Sequence, residues 1–264
     1  MRLVILGSGS SGNVALVESG GTRVLVDAGL SVATIDKRLD AIGVALSQVD
    51  ALLVTHEHSD HVGCAATLGR PIYAPGATLL KKRLEGTRVL AGRRFSIGAL
   101  TIDPVMLMHD ADETVGYVFS DGRHRIGILT DCGQADASIA RGYAGCDLLV
   151  LEANHDLQML VLGPYPPSLQ RRVRGPRGHL SNEQSAAMLQ MILAAGPAPS
   201  LVVAAHISQK NNREELVRRA LEPHLPAHVP LVLATPAGSP ELRLPLSGAR
   251  PRQLALFDSQ APTA

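Results

Sequence analysis

The chain has 264 residues, 45% of them hydrophobic, enough to bury one large core or two small ones. A net charge of +1 supplies no global field for a polyanion, and Arg rather than Lys carries most of the positive charge. That bias suits phosphate and follows equally from a G- and C-rich genome. Three widely spaced cysteines without a CxxC exclude a disulfide framework, and the apolar run at 1–6 is too short for a signal sequence or membrane span. The expectation is a cytoplasmic protein in a reducing compartment.

Short β-like runs come first, at 3–6, 14–18 and 22–26. Residues 31–42 predict an amphipathic helix with Ile35, Leu39 and Ile42 on one side. The strand-like 51–54 runs into a His-rich loop, followed by a strand at 71–74, a helix near 77–84, and strands at 93–97, 100–107, 115–119 and 123–129. A helix near 135–141 and a buried strand at 148–151 come next. Residues 182–194 predict a helix with Ser181 as N-cap and Gly196-Pro197 as its stop. A strand at 201–205, a helix at 213–221 and a strand at 231–233 complete the series. Two strand-rich halves, each with its own helices, predict an α/β fold of two packed sheets with helices outside. No repeat is visible in the letters. Residues 1–235 form the expected domain, and 236–264, rich in Pro, Ser, Gly and Arg, the expected tail.

The most informative stretch is Thr55-His56-Glu57-His58-Ser59-Asp60-His61. Imidazole nitrogens suit zinc, manganese or iron, and an acidic oxygen beside them offers a harder contact. His56 and His58, two apart, can aim at one point, while Asp60 and His61 open the next element and can reach a neighbouring ion. Acidic or imidazole side chains also recur just after apolar strands: Asp27, His109, Asp131, Glu152 and His206. Strand ends on one side of a sheet share a rim, where binding sites form.

His56-x-His58-x-Asp60-His61, with Asp27 upstream and Asp131 and His206 downstream, resembles the metallo-β-lactamase superfamily. More narrowly, residues 7–13, Thr130-Asp131-Cys132-Gly133, 151–156, 178–182 and 206–212 are similar to the YycJ/WalJ exonuclease-like family, a relative of ribonuclease Z. The match covers about 1–235 and implies an αββα sandwich of mixed sheets with its metal centre at the rim. It implies two divalent ions, zinc or manganese: His56, His58 and His109 on one, Asp60, His61 and His206 on the other, Asp131 bridging. Asp27 would stand behind the loop and orient it. Cys132 departs from the Thr or Ser usual in relatives; like Asp27 it is expected behind the ligands rather than on an ion, although a thiolate so near the bridging acid would favour zinc over manganese.

The resemblance further implies that Asp60 orients or deprotonates the attacking water, and that Glu152 supports His179 as general acid. Arg171, Arg172, Arg174 and Arg177, in what reads as an irregular strip at 164–177, are candidates for tracking a phosphate backbone. Ser208, Lys210, Asn211 and Asn212 are candidates for anchoring a phosphate. Aromatics make up 3% of residues, with no Trp, so base stacking is not expected to contribute much. Too few positions separate Asp131 from His206 for a cap domain, which fits an exonuclease better than a tRNA endonuclease. The implied activity is 5′-to-3′ DNA degradation in repair or replication. An RNA-processing or other phosphodiester hydrolase of the same fold, and a non-catalytic clamp-binding adaptor, are the alternatives. In the tail, Gln253, Leu254, Leu256 and Phe257 resemble the Gln-Leu-x-Leu-Phe peptide that docks on the bacterial DNA sliding clamp.

Overall fold

The structure is a computed structural model, and it describes residues 1–244. The first sheet begins as an antiparallel meander, β1 (Arg2–Gly7), β2 (Val14–Ser19) and β3 (Thr22–Val26). Helix α1 (Val32–Asp40) then crosses to parallel strands β4 (Ala51–Leu53), β5 (Ile72–Pro75) and β6 (Thr87–Val89), with α2 (Ser59–Val62) and α3 (Gly76–Lys82) between them.

The second sheet repeats this order. Strands β7 (Phe95–Ile97), β8 (Leu100–Met106), β9 (Val115–Ser120) and β10 (Arg125–Leu129) are antiparallel. Helix α4 (Ala137–Tyr143) leads to β11 (Leu148–Glu152), parallel to β10. Helices α5 (Leu157–Leu162), α6 (Pro167–Val173) and α7 (Asn182–Ala195) precede β12 (Leu201–Ala205), and α8 (Glu214–Leu221) precedes β13 (Leu231–Leu233). Both of these strands are parallel to their neighbours. The halves thus share one plan, antiparallel first and parallel after, although their letters show no repeat.

Alternation along the strands builds the layers. Leu3 and Ile5 face the space between the sheets, as do Leu201 and Val203, while Val4 and Leu6 pack under α1 residues Ile35 and Leu39. Val202 and Ala204 pack instead against Met188, Leu189 and Ile192 of α7. Strands buried on both faces need apolar residues at consecutive positions, which is why short unbroken runs identify them. The three resulting cores give four layers, helices–sheet–sheet–helices. Ser181 caps α7 as expected, its hydroxyl accepting from Gln184 N at 3.2 Å in a capping box.

Two expectations need correction here. The domain does not end at 235: Leu242–Arg243 form β14, antiparallel to β1, and Leu242 and Leu244 are buried in the core between the sheets. Their apolar side chains sit among prolines and glycines that mask a strand of two residues. The strip at 164–177 is irregular only at its two ends, because α6 occupies its middle and opens with Pro167 in its first turn, where a missing N–H costs nothing. The clamp-like Gln253, Leu254, Leu256 and Phe257 lie outside the described residues. Among the described residues, no helix is long and apolar enough to cross a membrane.

Candidate metal centre

The expected loop sits where β4 ends and α2 begins, and Asp27 holds it from behind. Thr55 donates to Asp27 Oδ1 through its amide (2.8 Å) and its hydroxyl (3.0 Å), while His61 Nδ1 lies 2.7 Å from Asp27 Oδ2. Backbone bonds lock the same contact, with Ala28 N donating to His61 O at 2.6 Å and Asn13 N to Asp60 O at 2.8 Å. Gly29 makes this approach possible, since a Cβ there would stand 1.8 Å from the Asp60 carbonyl oxygen.

Three strand-end residues complete the rim with left-handed backbone: Asp27 (φ 63°), Asp131 (φ 60°) and His206 (φ 53°). Among the described residues only one other non-glycine residue, Arg83, has positive φ. Such conformations cost of order 1–3 kcal/mol each and concentrate where side-chain direction matters. Here each turns a polar side chain back across the end of its strand.

The rings and carboxylates converge on Asp131. Its Oδ2 is 3.1 Å from His61 Nε2, and its Oδ1 is 3.7 Å from His109 Nε2 and 3.5 Å from His206 Nδ1. His109 Nδ1 lies 2.9 Å from the carbonyl of Gly178, which can only accept, so this nitrogen carries the proton and Nε2 offers a lone pair. His58 Nδ1 is 3.2 Å from that Nε2. Across the rim, His206 Nε2 and His61 Nε2 lie 3.7 and 3.5 Å from Asp60 Oδ2. Ligand atoms of His56, His58 and His109 form one tight group and those of Asp60, His61 and His206 another, with Asp131 beside His56 and His61.

Electrostatics describe a site that asks for cations. Burial disfavours its charge, yet His206 and His61 hold Asp131 well below the ordinary carboxylate range. Burial likewise opposes protonation of His206, but Asp131, Asp60 and Glu152 raise it to about 10. Burial and the neighbouring His61 instead push His56 well down. At this rim the buried His56 Nε2 and Asp110 Oδ1 have no hydrogen-bond partner, and Asp131 Oδ2 has only the 3.1 Å approach of His61 Nε2, as atoms left for a ligand would. The donor set therefore fits divalent metal.

Glu152 is the second hub. Its Oε1 lies 2.9 Å from His179 Nδ1 and 2.8 Å from His206 Nδ1, while Oε2 accepts from Cys132 N (3.0 Å) and Leu180 N (3.2 Å). Burial opposes this charge, but His179 and His206 bring the carboxyl down to about 2. The expected Glu152–His179 pair is present, and the contact to His206 is new: one carboxylate orients two imidazoles.

Several candidates make contacts other than those expected. Cys132 is no thiolate at the metal centre: its Sγ donates to Gln134 O at 3.2 Å inside the outer core of the second sheet, and burial raises its pKa to about 11. Its amide, not its sulfur, serves the site. Arg177 is committed to the carbonyls of His109 (2.8 Å) and Ala111 (3.0 Å), and Arg171 and Arg174 are exposed and do not line the cleft. Asn212 faces inward, exchanging amide hydrogen bonds with Asn182 at 2.8–2.9 Å. Asn211 is buried too. Lys210 is exposed, its Nζ 5.8 Å from the centre of the Tyr165 ring.

The cleft over the centre, about 410 Å³, is lined by His58, Asp60, Asp131, His179 and His206, with Ser208, Tyr165 and Arg172 at its walls. A larger cavity of about 670 Å³ between α5 and α8 contains none of these groups, so the chemistry lies in the smaller space. Sequence reasoning overlooked Asn13, 3.0 Å from His61 Nε2, and Ser8, whose hydroxyl accepts from His206 N at 2.7 Å. Both lie in the glycine-rich segment 7–13, the only signal that could have found them.

Residues 22–207 match the Beta-lactamase superfamily domain. The chain is 30% identical over 233 residues to the exodeoxyribonuclease YycJ of Bacillus anthracis, covering 84% of this chain and 88% of the relative. It is 33% identical over 233 residues to the exodeoxyribonuclease WalJ of Streptococcus pneumoniae, covering 82% and 85%. Among solved structures, the metallo-β-lactamase fold protein YhfI of Bacillus subtilis superposes with a TM-score of 0.69 at 17% identity, covering 89% of this chain and 96% of that one. Fold, rim chemistry and relatives agree: the chain belongs to the metallo-β-lactamase superfamily, in its YycJ/WalJ branch, and is a metal-dependent hydrolase.

Proposed function

We propose that the protein is a cytoplasmic phosphodiesterase with two divalent ions, zinc or manganese, that degrades DNA from the 5′ end in repair or replication. The observation that carries this reading is the Glu152–His179 pair, 2.9 Å long, set beside Asp131 with His179 open to the cleft. A hydrolase whose leaving group departs as an alkoxide needs such a proton donor. The YycJ and WalJ relatives, which match most of the chain, are named exodeoxyribonucleases, which supports DNA as substrate.

His56, His58 and His109 would hold one ion, Asp60, His61 and His206 the other, and Asp131 both. Bound there, the pair would supply an acidified water and a clamp for non-bridging phosphate oxygens. Asp27 fixes the histidine loop so that its rings need not reorganise. Asp60, which His206 and His61 keep ionised despite its burial, accepts a hydrogen bond from the attacking water and sets its direction. His179, with Nδ1 on Glu152, has Nε2 left to protonate the departing oxygen.

Digestion of 5′- and 3′-labelled single- and double-stranded DNA, with an RNA control, in zinc and in manganese tests the reading. Release of mononucleotides from the 5′ label is expected. Cleavage of RNA alone, or of neither polymer, would refute it.

A further inference from the structure

Of the four arginines in the α6 region, only Arg172 lines the metal cleft. Its Nε donates to Asp110 Oδ2, and among the described residues its two Nη groups have no other hydrogen-bond partner. The side chain is 55% exposed, so those groups are available to a ligand. Asp110 immediately follows His109, and its Oδ1, buried without a hydrogen-bond partner, lies 3.2 Å from His109 Nε2 and 3.7 Å from His58 Nε2, so metal content is the measurement that separates an aiming role from a ligand role. Arg172 is therefore anchored beside the His56, His58 and His109 group.

The anchor is itself fixed. Arg177 binds the carbonyls on both sides of Asp110, those of His109 and Ala111. Asp112, two positions on, is tied through its amide to Glu57 (3.2 Å) and through its carboxylate to Lys81 (2.8 Å). A segment stapled at 109, 111 and 112 holds its carboxylate still. A guanidinium gripped at Nε by a rigid carboxylate turns its outer edge, the fork that matches two phosphate oxygens, toward the opening.

We propose that Arg172 binds a substrate phosphate next to the scissile one, and that Asp110 is the positioning residue that aims it. This rests on the phosphodiester reading above. Asp110 then acts through Arg172 and not as a metal ligand.

The test measures binding of the metal-loaded protein to a 5′-phosphorylated single-stranded oligonucleotide with uncleavable phosphorothioate links, alongside metal content. R172A and D110A should each weaken binding about tenfold or more, whereas D110N, which keeps an acceptor for Nε–H, stays within about threefold. In the R172A background, adding D110A should cost less than about twofold, because the two act as a unit. Metal content should match wild type throughout. Wild-type affinity in R172A, further loss on adding D110A, or metal lost from D110A or D110N would overturn the proposal. If the wild type binds no oligonucleotide, the nuclease reading falls and this proposal with it; normal wild-type binding confines any failure to the Arg172–Asp110 pair.

Discussion

The two halves of the rim solve one problem in opposite ways. The first sheet concentrates its groups in one loop, His56 to His61, and immobilises that loop through a single carboxylate behind it, Asp27. The second sheet contributes one residue per element, His109, Asp131, Glu152, His179 and His206, and ties its far side together through Glu152. A contiguous loop needs one anchor, whereas a dispersed set needs a hub that several elements reach. Asp27 and Glu152 are those two devices, and both are buried carboxylates accepting several hydrogen bonds.

The comparison breaks most severely at the residue both halves share. Asp131→Ala removes the central carboxylate, and a loss of activity on the order of 10⁴-fold is expected, with metal content falling in the same preparation. Wild-type metal content in that variant would show that the halves bind independently. His179→Ala should lower kcat by about 10²- to 10⁴-fold while metal content stays unchanged. Retained turnover would remove the general-acid role.

Asp27→Asn and Glu152→Gln sharpen the contrast. Each should weaken metal binding or activity by about 10- to 100-fold. Asp27→Asn should act mainly through metal affinity, because Asp27 touches only the loop. Glu152→Gln should depress turnover beyond its effect on metal, because Glu152 also holds His179. Isothermal titration with zinc, set beside kcat at saturating metal, separates the two. Identical profiles would erase the distinction.

The smallest effect concerns His155, which is fully buried with neither ring nitrogen hydrogen-bonded. Burial depresses it from 6.5 to about 4. The unfolded chain therefore binds a proton that the fold does not, so stability is lost as pH falls from about 6.5 toward 4. The difference between wild type and His155→Leu in Tm against pH isolates the contribution of His155: the variant should show the shallower fall. Parallel curves would mean that His155 does not resist protonation.

Legibility followed the same division. The histidine loop can be read directly because its ligands are neighbours in sequence, and the strands because burial on both faces forces unbroken apolar runs. Asp131 and His206 could be found only as members of a pattern, since the left-handed turn that aims each is invisible in the letters. That turn also decides Cys132: with Asp131 pointing into the rim, the next side chain points into the outer core. Helix α6 was hidden by Pro166-Pro167, which signals a break in sequence but a start in structure. The inward turn of Asn212 and the capture of Arg177 by two carbonyls depend on tertiary neighbours that no local window contains.

Metal analysis of chelator-stripped protein, followed by reconstitution, tests the central claim most directly. Two equivalents of zinc or manganese should return, and hydrolysis of DNA should return with them. Uptake of far less than two equivalents, with no gain in DNA hydrolysis, would contradict a paired-ion phosphodiesterase.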